Sequence, residues 1–370
     1  MKILHVESGR HLYGGAQQVL YLMEGLARLG DPQLTQVLAC PTQAHIAPAA
    51  RPFAQVHELP MGGDLDVGLV WRLRRLMVQE RPDIVHLHSR RGADTWGALA
   101  ARWAGVPCIL SRRVDNREPA WLVGAKYRLY DQVITISEGI RQVLLAQGVP
   151  AAQVHCVRSA VNAAPYLHPG DKAALLRQHG WPADTLLIGM VAQLIERKGH
   201  RHLLAALPAV LAQHPQVKVL LFGRGPLLQA LRQAVAQQGL DASVCFMGFR
   251  DDLPALLGCL DVLAHPADME GLGVALLQAS AAQVPIVACR AGGMPEAVRD
   301  GVNGLLIPVG DVSALTQALL RLLGDAALRT RLGAAGRALV LREFSVDAMC
   351  AGNLARYRTL CPPQAKADPA

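Results

Sequence analysis

Glu270-Gly-Leu-Gly-Val-Ala-Leu-Leu-Gln278 reads as a strand-to-helix corner. A short apolar run, Leu260-Asp-Val-Leu-Ala-His-Pro266, precedes it, and small apolar residues continue beyond it to Gln283. A buried strand, a tight glycine turn and a helix start form a phosphate-binding corner. Unpaired N–H groups and the positive end of the helix dipole converge on one spot. The glycines let a ligand approach the backbone closely. Glu270 stands at the entrance, and Gln278 falls two helical turns later, on the inward face of an unbroken helix. Polar side chains on either side of such a cradle suit a sugar nucleotide, with the sugar, the diphosphate and the ribose in that order.

Strand and helix patterns alternate on both sides of this corner. Apolar runs at Ile3–Val6, Thr35–Ala39, Ile84–Leu87, Cys108–Leu110, Gln132–Ile136 and Val154–Val157 are interleaved with amphipathic stretches such as Ala16–Leu29. The pattern restarts with Leu186–Ala192 and continues through Val217–Phe222, Val244–Met247, Val262–Ala264, Pro285–Ala288 and Gly304–Ile307. Alternation of this kind predicts α/β architecture with doubly wound parallel sheets. Two Rossmann-like halves follow, residues 1–165 and 166–345, joined through the polar stretch Asn162–Gly180. Ligands in such sheets bind outside the carboxyl ends of the strands, so the expected site is a cleft between the halves. A last helix, 346–361, has no strand after it and either braces the first domain or caps the second. The tail 362–370 is expected to be disordered.

The chain has 370 residues, 51% hydrophobic and 18% charged, which predicts an ordered globular protein. Aromatic residues are only 4% of it, which argues against a single-stranded nucleic-acid platform built by stacking. The net charge is +8 and comes mostly from arginine, which suits phosphates or an anionic membrane surface; a genome favouring arginine codons explains the bias equally well. Eight cysteines without C-x-x-C pairs read as free, mostly buried thiols. No apolar run is long enough to span a bilayer, and Met1-Lys-Ile-Leu-His-Val reads as a core strand. The expected location is cytoplasmic, with peripheral contact to the inner membrane open.

The ordered landmarks are Tyr13-Gly14-Gly15-Ala16-Gln17, Pro82-Asp-Ile-Val-His-Leu-His88-Ser89, Asp131-Gln-Val-Ile-Thr-Ile-Ser137-Glu138, Glu196-Arg-Lys198-Gly199-His200, Gly223-Arg-Gly-Pro226, Met269-Glu270-Gly-Leu-Gly-Val274 and Ala291-Gly-Gly-Met-Pro-Glu296. Together, and over nearly the whole chain, they resemble glycosyltransferase family four, the retaining enzymes of GT-B architecture. The resemblance implies sugar transfer from a nucleotide sugar to a glycan or glycolipid acceptor, such as a lipopolysaccharide or polysaccharide precursor. It also implies that neither metal nor cofactor takes part; the scarcity of aromatics leaves nucleic acid out of the expected partners. The donor belongs to the second domain and the acceptor to the first.

By this resemblance Glu270 grips the donor sugar and Lys198 the diphosphate, with Leu272, Gly273 and Val274 at the helix mouth. Gln278 replaces the glutamate that usually holds the ribose; an amide keeps a hydrogen bond but loses its charge assistance. Ala192-Gln193-Leu194 stands where an arginine-bearing turn is usual, which leaves Arg197 as either the second cation or a solvated surface charge. Gly14 and Gly15 are placed against the donor. His88 is placed near the sugar, and His86 is read as structural, on the opposite face of its strand. Arg90, Arg112 and Arg113 are candidates for an anionic acceptor, with solvated loop charges as the alternative. Asp64-Leu-Asp66 resembles a metal-binding D-x-D but reads as the N-cap of a helix at Val67–Val78. A non-catalytic saccharide-binding protein, an epimerase and an oxidoreductase are the competing readings, the last lacking a G-x-G-x-x-G fingerprint.

Overall fold

A computed structural model describes residues 1–12, 14–89, 92–168 and 170–362. The chain divides into two compact units. The first contains Met1–Ala160 and takes back the chain from Val346 onward; the second is Val161–Ser345. The tail from residue 363 lies outside the described residues, as do Arg90 and Arg91.

Unit 1 holds a parallel sheet of β1 (Lys2–Val6), β2 (Thr35–Pro41), β3 (Gln55–Leu59), β4 (Ile84–Leu87), β5 (Cys108–Arg112), β6 (Gln132–Thr135) and β7 (Val154–Cys156). Their order is β3-β2-β1-β4-β5-β6-β7. Strands β1 and β4 are neighbours, with His5 opposite His86, and strand order reverses there. The sequence reading missed β3. It is an edge strand, Gln55-Val-His-Glu-Leu59, with no fully buried residue, so it lacks the continuous apolar run of a strand covered on both faces.

Unit 2 holds β8 (Leu187–Val191), β9 (Lys218–Phe222), β10 (Val244–Gly248), β11 (Val262–His265), β12 (Ile286–Cys289) and β13 (Gly304–Ile307), in the order β10-β9-β8-β11-β12-β13. Here strand order reverses between β8 and β11. The central strands of both sheets are almost wholly apolar and buried, as strands covered by helices on both faces must be.

The helices that frame the sites are α1 (Gly15–Arg28), α2 (Ile46–Ala50), α3 (Leu69–Glu80), α4 (Ala93–Ala104) and α5 (Ala120–Tyr127) in unit 1. Helix α3 begins two residues later than its pattern suggested, at Leu69, and its N-cap residue Gly68 supplies no side-chain cap. Asp66 is not its N-cap residue. Its carboxylate instead accepts the Gly62 amide at 2.7 Å and the Arg72 guanidinium at 2.5 Å, closing the turn before the helix. The last helix, Val346–Leu360, packs on α1 and the sheet of unit 1. Met349, Cys350 and Tyr357 are buried with Ile3, Leu22, Leu26, Ile84 and Ile109. All eight cysteines are free. No helix among the described residues is long and apolar enough to cross a membrane.

Candidate active site

In unit 2 the predicted donor residues gather at the carboxyl ends of β8 and β11, the strands flanking the order reversal, where α/β sheets bind ligands. After β8 the chain forms a 3-10 turn, Glu196–Lys198, then a left-handed Gly199, then the helix His200–Gln213. After β11 it forms the Glu270 turn and the helix α6 (Val274–Ala281), entered through Gly273 at φ 89°. The buried Lys198 ammonium forms an ion pair with Oε2 of Glu270. His265, at the end of β11 and 2% exposed, brings Nε2 to 3.2 Å from the same oxygen. Oε1 of Glu270 has no hydrogen bond to a described residue, so one edge of the carboxylate is left for a hydroxyl donor. The Glu270 carbonyl accepts the Gly293 amide at 3.0 Å, so the Ala291–Met294 loop braces the turn.

Burial alone would raise the Glu270 carboxyl; the His265 hydrogen bond and the Lys198 ammonium outweigh it and hold the group at about 2. Both partners favour the anion, so the side chain is fully ionised at neutral pH. The folded value lies below the usual 4.5, so this coupling stabilises the fold above pH 4.5 and is lost as pH falls through about 2. The shift corresponds to roughly 3 kcal/mol. Thermal melts of wild type and Glu270→Gln should therefore differ at pH 5 and converge near pH 2; parallel curves would disprove the coupling.

At the start of α6, the amides of Leu276 and Leu277 both reach the Gly273 carbonyl. Those of Val274 and Ala275 have no backbone acceptor among the described residues, as expected of a first helical turn. Leu272 is 1% exposed, so it offers a ligand its backbone only. Gln278 is half-buried on the same helix, and its amide makes no hydrogen bond to a described residue. Arg197 is exposed and joins no ion pair among the described residues, whereas the nearby Arg201 is held by Glu196 and Asp268.

His200 is the neighbour that sequence reasoning overlooked. It is buried and neither ring nitrogen has a partner. Burial, then the proximity of His265 and Lys198, lowers it to about 4, so it adds no charge to the cluster at neutral pH.

Unit 1 gathers its candidates at the carboxyl ends of β1, β4 and β5. Gly14 caps α1 at φ 55°. A side chain on Gly15 would lie 3.4 Å from Cδ of Arg113, so the half-buried Arg113 runs alongside the glycine turn. Its Nε donates to the His88 carbonyl at 3.4 Å. His88 is 1% exposed; its Nε2 shares a 2.9 Å hydrogen bond with Nδ1 of His5, and its own Nδ1 is unpartnered. Burial, reinforced by His86, His5 and Arg113, holds it well below its ordinary value. It is therefore a neutral imidazole, able to accept or donate but not to carry charge.

Two expectations are corrected here. His86 is not on the opposite face from His88. A two-residue step along a strand returns to the same face, and the two rings lie with centroids 3.8 Å apart, their planes tilted by 37°. His86 is structural nonetheless: Nδ1 meets the Tyr357 hydroxyl at 2.7 Å and Nε2 the Ser111 hydroxyl at 2.8 Å. Arg112 is not an acceptor ligand. It is 2% exposed, and its nitrogens donate to the Val114 and Asn116 carbonyls and to Glu118. This arginine shapes the loop after β5. Arg90 lies outside the described residues.

The three histidines 5, 86 and 88 have ligating atoms within 4.8 Å of one another, but both nitrogens of His86 are already engaged and His5 and His88 bond to each other. Glu7 was also overlooked. It is 3% exposed at the end of β1. Its Oε1 accepts the Ser89 hydroxyl at 2.8 Å and the Gly9 amide at 2.7 Å, while Oε2 has no hydrogen-bond partner. An acidic residue directly after the buried end of a strand was the available signal.

Known proteins give the family of the chain. Residues 171–339 match the family model for glycosyl transferases group 1, and residues 13–164 match that for Glycosyltransferase Family 4. The chain is 32% identical over 283 residues to a GDP-mannose-dependent alpha-(1-6)-phosphatidylinositol monomannoside mannosyltransferase of Mycolicibacterium smegmatis, covering 72% of this chain and 74% of that protein. It is 32% identical over 168 residues to the lipopolysaccharide core biosynthesis glycosyltransferase LpsE of Rhizobium meliloti, covering 45% of this chain and 48% of that one. Anabaena HepE, solved with UDP, shares the fold at a TM-score of 0.84 and 21% identity, over 97% of this chain and 100% of that one. The chain belongs to glycosyltransferase family 4, with the GT-B fold, and is a glycosyltransferase.

Proposed function

We propose that this enzyme extends a lipid-linked or cell-surface glycan, with retention of anomeric configuration and without a metal or cofactor. The observation that carries the mechanism is the ionised Glu270, held by Lys198 and His265 beside the free amides of α6. The donor diphosphate would lie at those amides and at Lys198, which supply the positive charge that a metal provides elsewhere. The free oxygen of Glu270 would accept a hydrogen bond from a sugar hydroxyl and stabilise positive charge at the anomeric carbon.

In this reading the acceptor hydroxyl attacks the anomeric carbon from the face the phosphate leaves. The carbon–oxygen bond to phosphate breaks, the nucleoside diphosphate departs with the electron pair, and it takes the acceptor's proton. Leu272, Gly273, Val274, Gln278 and Arg197 would complete the donor side. Gly14, Gly15, His88 and Arg113 would act from the first unit. Support for a glycolipid acceptor comes from the two relatives, whose names specify a phosphatidylinositol mannoside and a lipopolysaccharide core. The net charge of +8 favours peripheral contact with an anionic inner membrane.

Incubation with UDP-, GDP- or ADP-sugars and extracted membrane glycolipid tests this. Proton NMR of the product should show the donor's anomeric configuration, and a chelator should leave the rate unchanged. An inverted linkage, or activity abolished by the chelator, would refute the proposal.

A further inference from the structure

The outward face of α3 and α4 brings two exposed tryptophans together. Along α3, Leu69, Val70, Leu73, Leu76 and Met77 face the core. The opposite stripe carries Trp71, Arg74, Arg75 and Val78, at helical i, i+3, i+4 and i+7 spacing. Trp71 and Val78 are 56% and 58% exposed. The last turn of α4 sets Trp103, also 56% exposed, against Trp71. Their ring centroids are 5.9 Å apart and the planes cross at 73°. Neither indole N–H has a hydrogen bond to a described residue.

The charges are equally one-sided. Arg74, Arg75 and Arg102 are exposed and join no ion pair among the described residues. The acids of these helices point the other way. Glu80 is buried against Lys2, and Asp94 is buried against Lys126. Asp66, before α3, is taken by Arg72. A solvated helix face normally mixes both signs and hides its large aromatics. This one offers paired indoles together with three exposed arginines on the same two helices.

We infer that the α3–α4 face seats unit 1 on an anionic lipid bilayer, with Trp71 and Trp103 entering the headgroup layer and Arg74, Arg75 and Arg102 meeting lipid phosphates. Tryptophan suits that layer because its body is apolar and its N–H needs a wet partner. Arginine matches phosphate bidentately and is drawn to a negative leaflet. The inference extends the glycolipid-acceptor reading above, since it names the surface that would bring the enzyme to such an acceptor.

Flotation of the full chain with vesicles tests it, using phosphatidylethanolamine with phosphatidylglycerol against phosphatidylcholine alone. The protein should float with the anionic vesicles at low salt and be released at high salt, as screening requires. Trp71→Ser with Trp103→Ser, and separately Arg74→Glu with Arg75→Glu, should each weaken partitioning roughly tenfold or more. Both double variants should keep the wild-type melting temperature. Acceptor-free hydrolysis of the nucleotide sugar should also persist in both, and it reports the transferase reading independently. Wild type failing to float with anionic vesicles, or the tryptophan variant floating like wild type, would overturn the inference. So would a dimer that dissociates in the tryptophan variant while no flotation is seen, because the face would then belong to a second copy.

Discussion

Lys198→Ala is expected to lower kcat/KM by roughly a hundred- to a thousandfold, the usual effect of removing one preorganised group that stabilises developing negative charge. Two losses combine. The ammonium that would offset charge on the leaving phosphate disappears, and Glu270 loses the closest of its two cationic or donor partners. Burial then raises the carboxyl with only His265 opposing it, so the acid limb of any residual pH–rate profile should move to higher pH. A Lys198→Arg variant should recover part of the rate, because the charge returns with altered geometry. Steady-state kinetics against pH would measure all three. Activity within about threefold of wild type would remove Lys198 from the mechanism.

The second large effect is expected at Gly199. Its φ is 75°, and a Cβ there would stand 1.8 Å from the carbonyl oxygen of Pro266. The loops that leave β8 and β11 therefore meet backbone to backbone at this residue, one carrying Lys198 and the other leading to Glu270. No rotamer relieves a clash with a carbonyl, so Gly199→Ala must push the loops apart and separate the ion pair. The expected cost is roughly 3 kcal/mol or more in stability, with activity falling about as far as in Lys198→Ala. Gly239→Ala is the control. That glycine is left-handed too, at φ 65°, but has nothing within 4 Å of its would-be Cβ, so only the left-handed backbone penalty of roughly 1 kcal/mol applies. Melting temperatures and rates of the two variants should separate clearly; equal behaviour would show that the close approach does not matter.

The central strands and the donor corner were legible in the sequence because each is written locally. A strand buried on both faces is an unbroken apolar run, and a glycine turn before a helix is a few contiguous residues. Glu270 was marked by its own glycine turn, whereas Lys198 was joined to it through the family resemblance, each standing after a strand that such a run identifies. Features that depend on pairing between distant segments were not legible. His265 reads as the polar end of a strand until its ring is seen on Glu270. Arg112 looks like a free cation until Glu118 and two carbonyls surround it. Edge strand β3 has too few apolar residues to announce itself. The misplacement of His86 was different in kind, since the two-residue repeat of a strand already put it on the same face as His88. With His5 opposite His86 across β1 and β4, the cluster of three rings followed from the sheet order alone.

The return of the final helix to unit 1 has a consequence for biosynthesis. Unit 2 is a single uninterrupted segment, whereas unit 1 lacks Met349, Cys350 and the Tyr357 hydroxyl that binds His86 until the ribosome has passed through all of unit 2. The nascent chain thus carries an unfinished amino-terminal half, with Ile3, Leu22 and Leu26 uncovered, while its later half can already close. Emergence order and completion order are reversed in this polypeptide, and the earlier-made sheet is the one that waits.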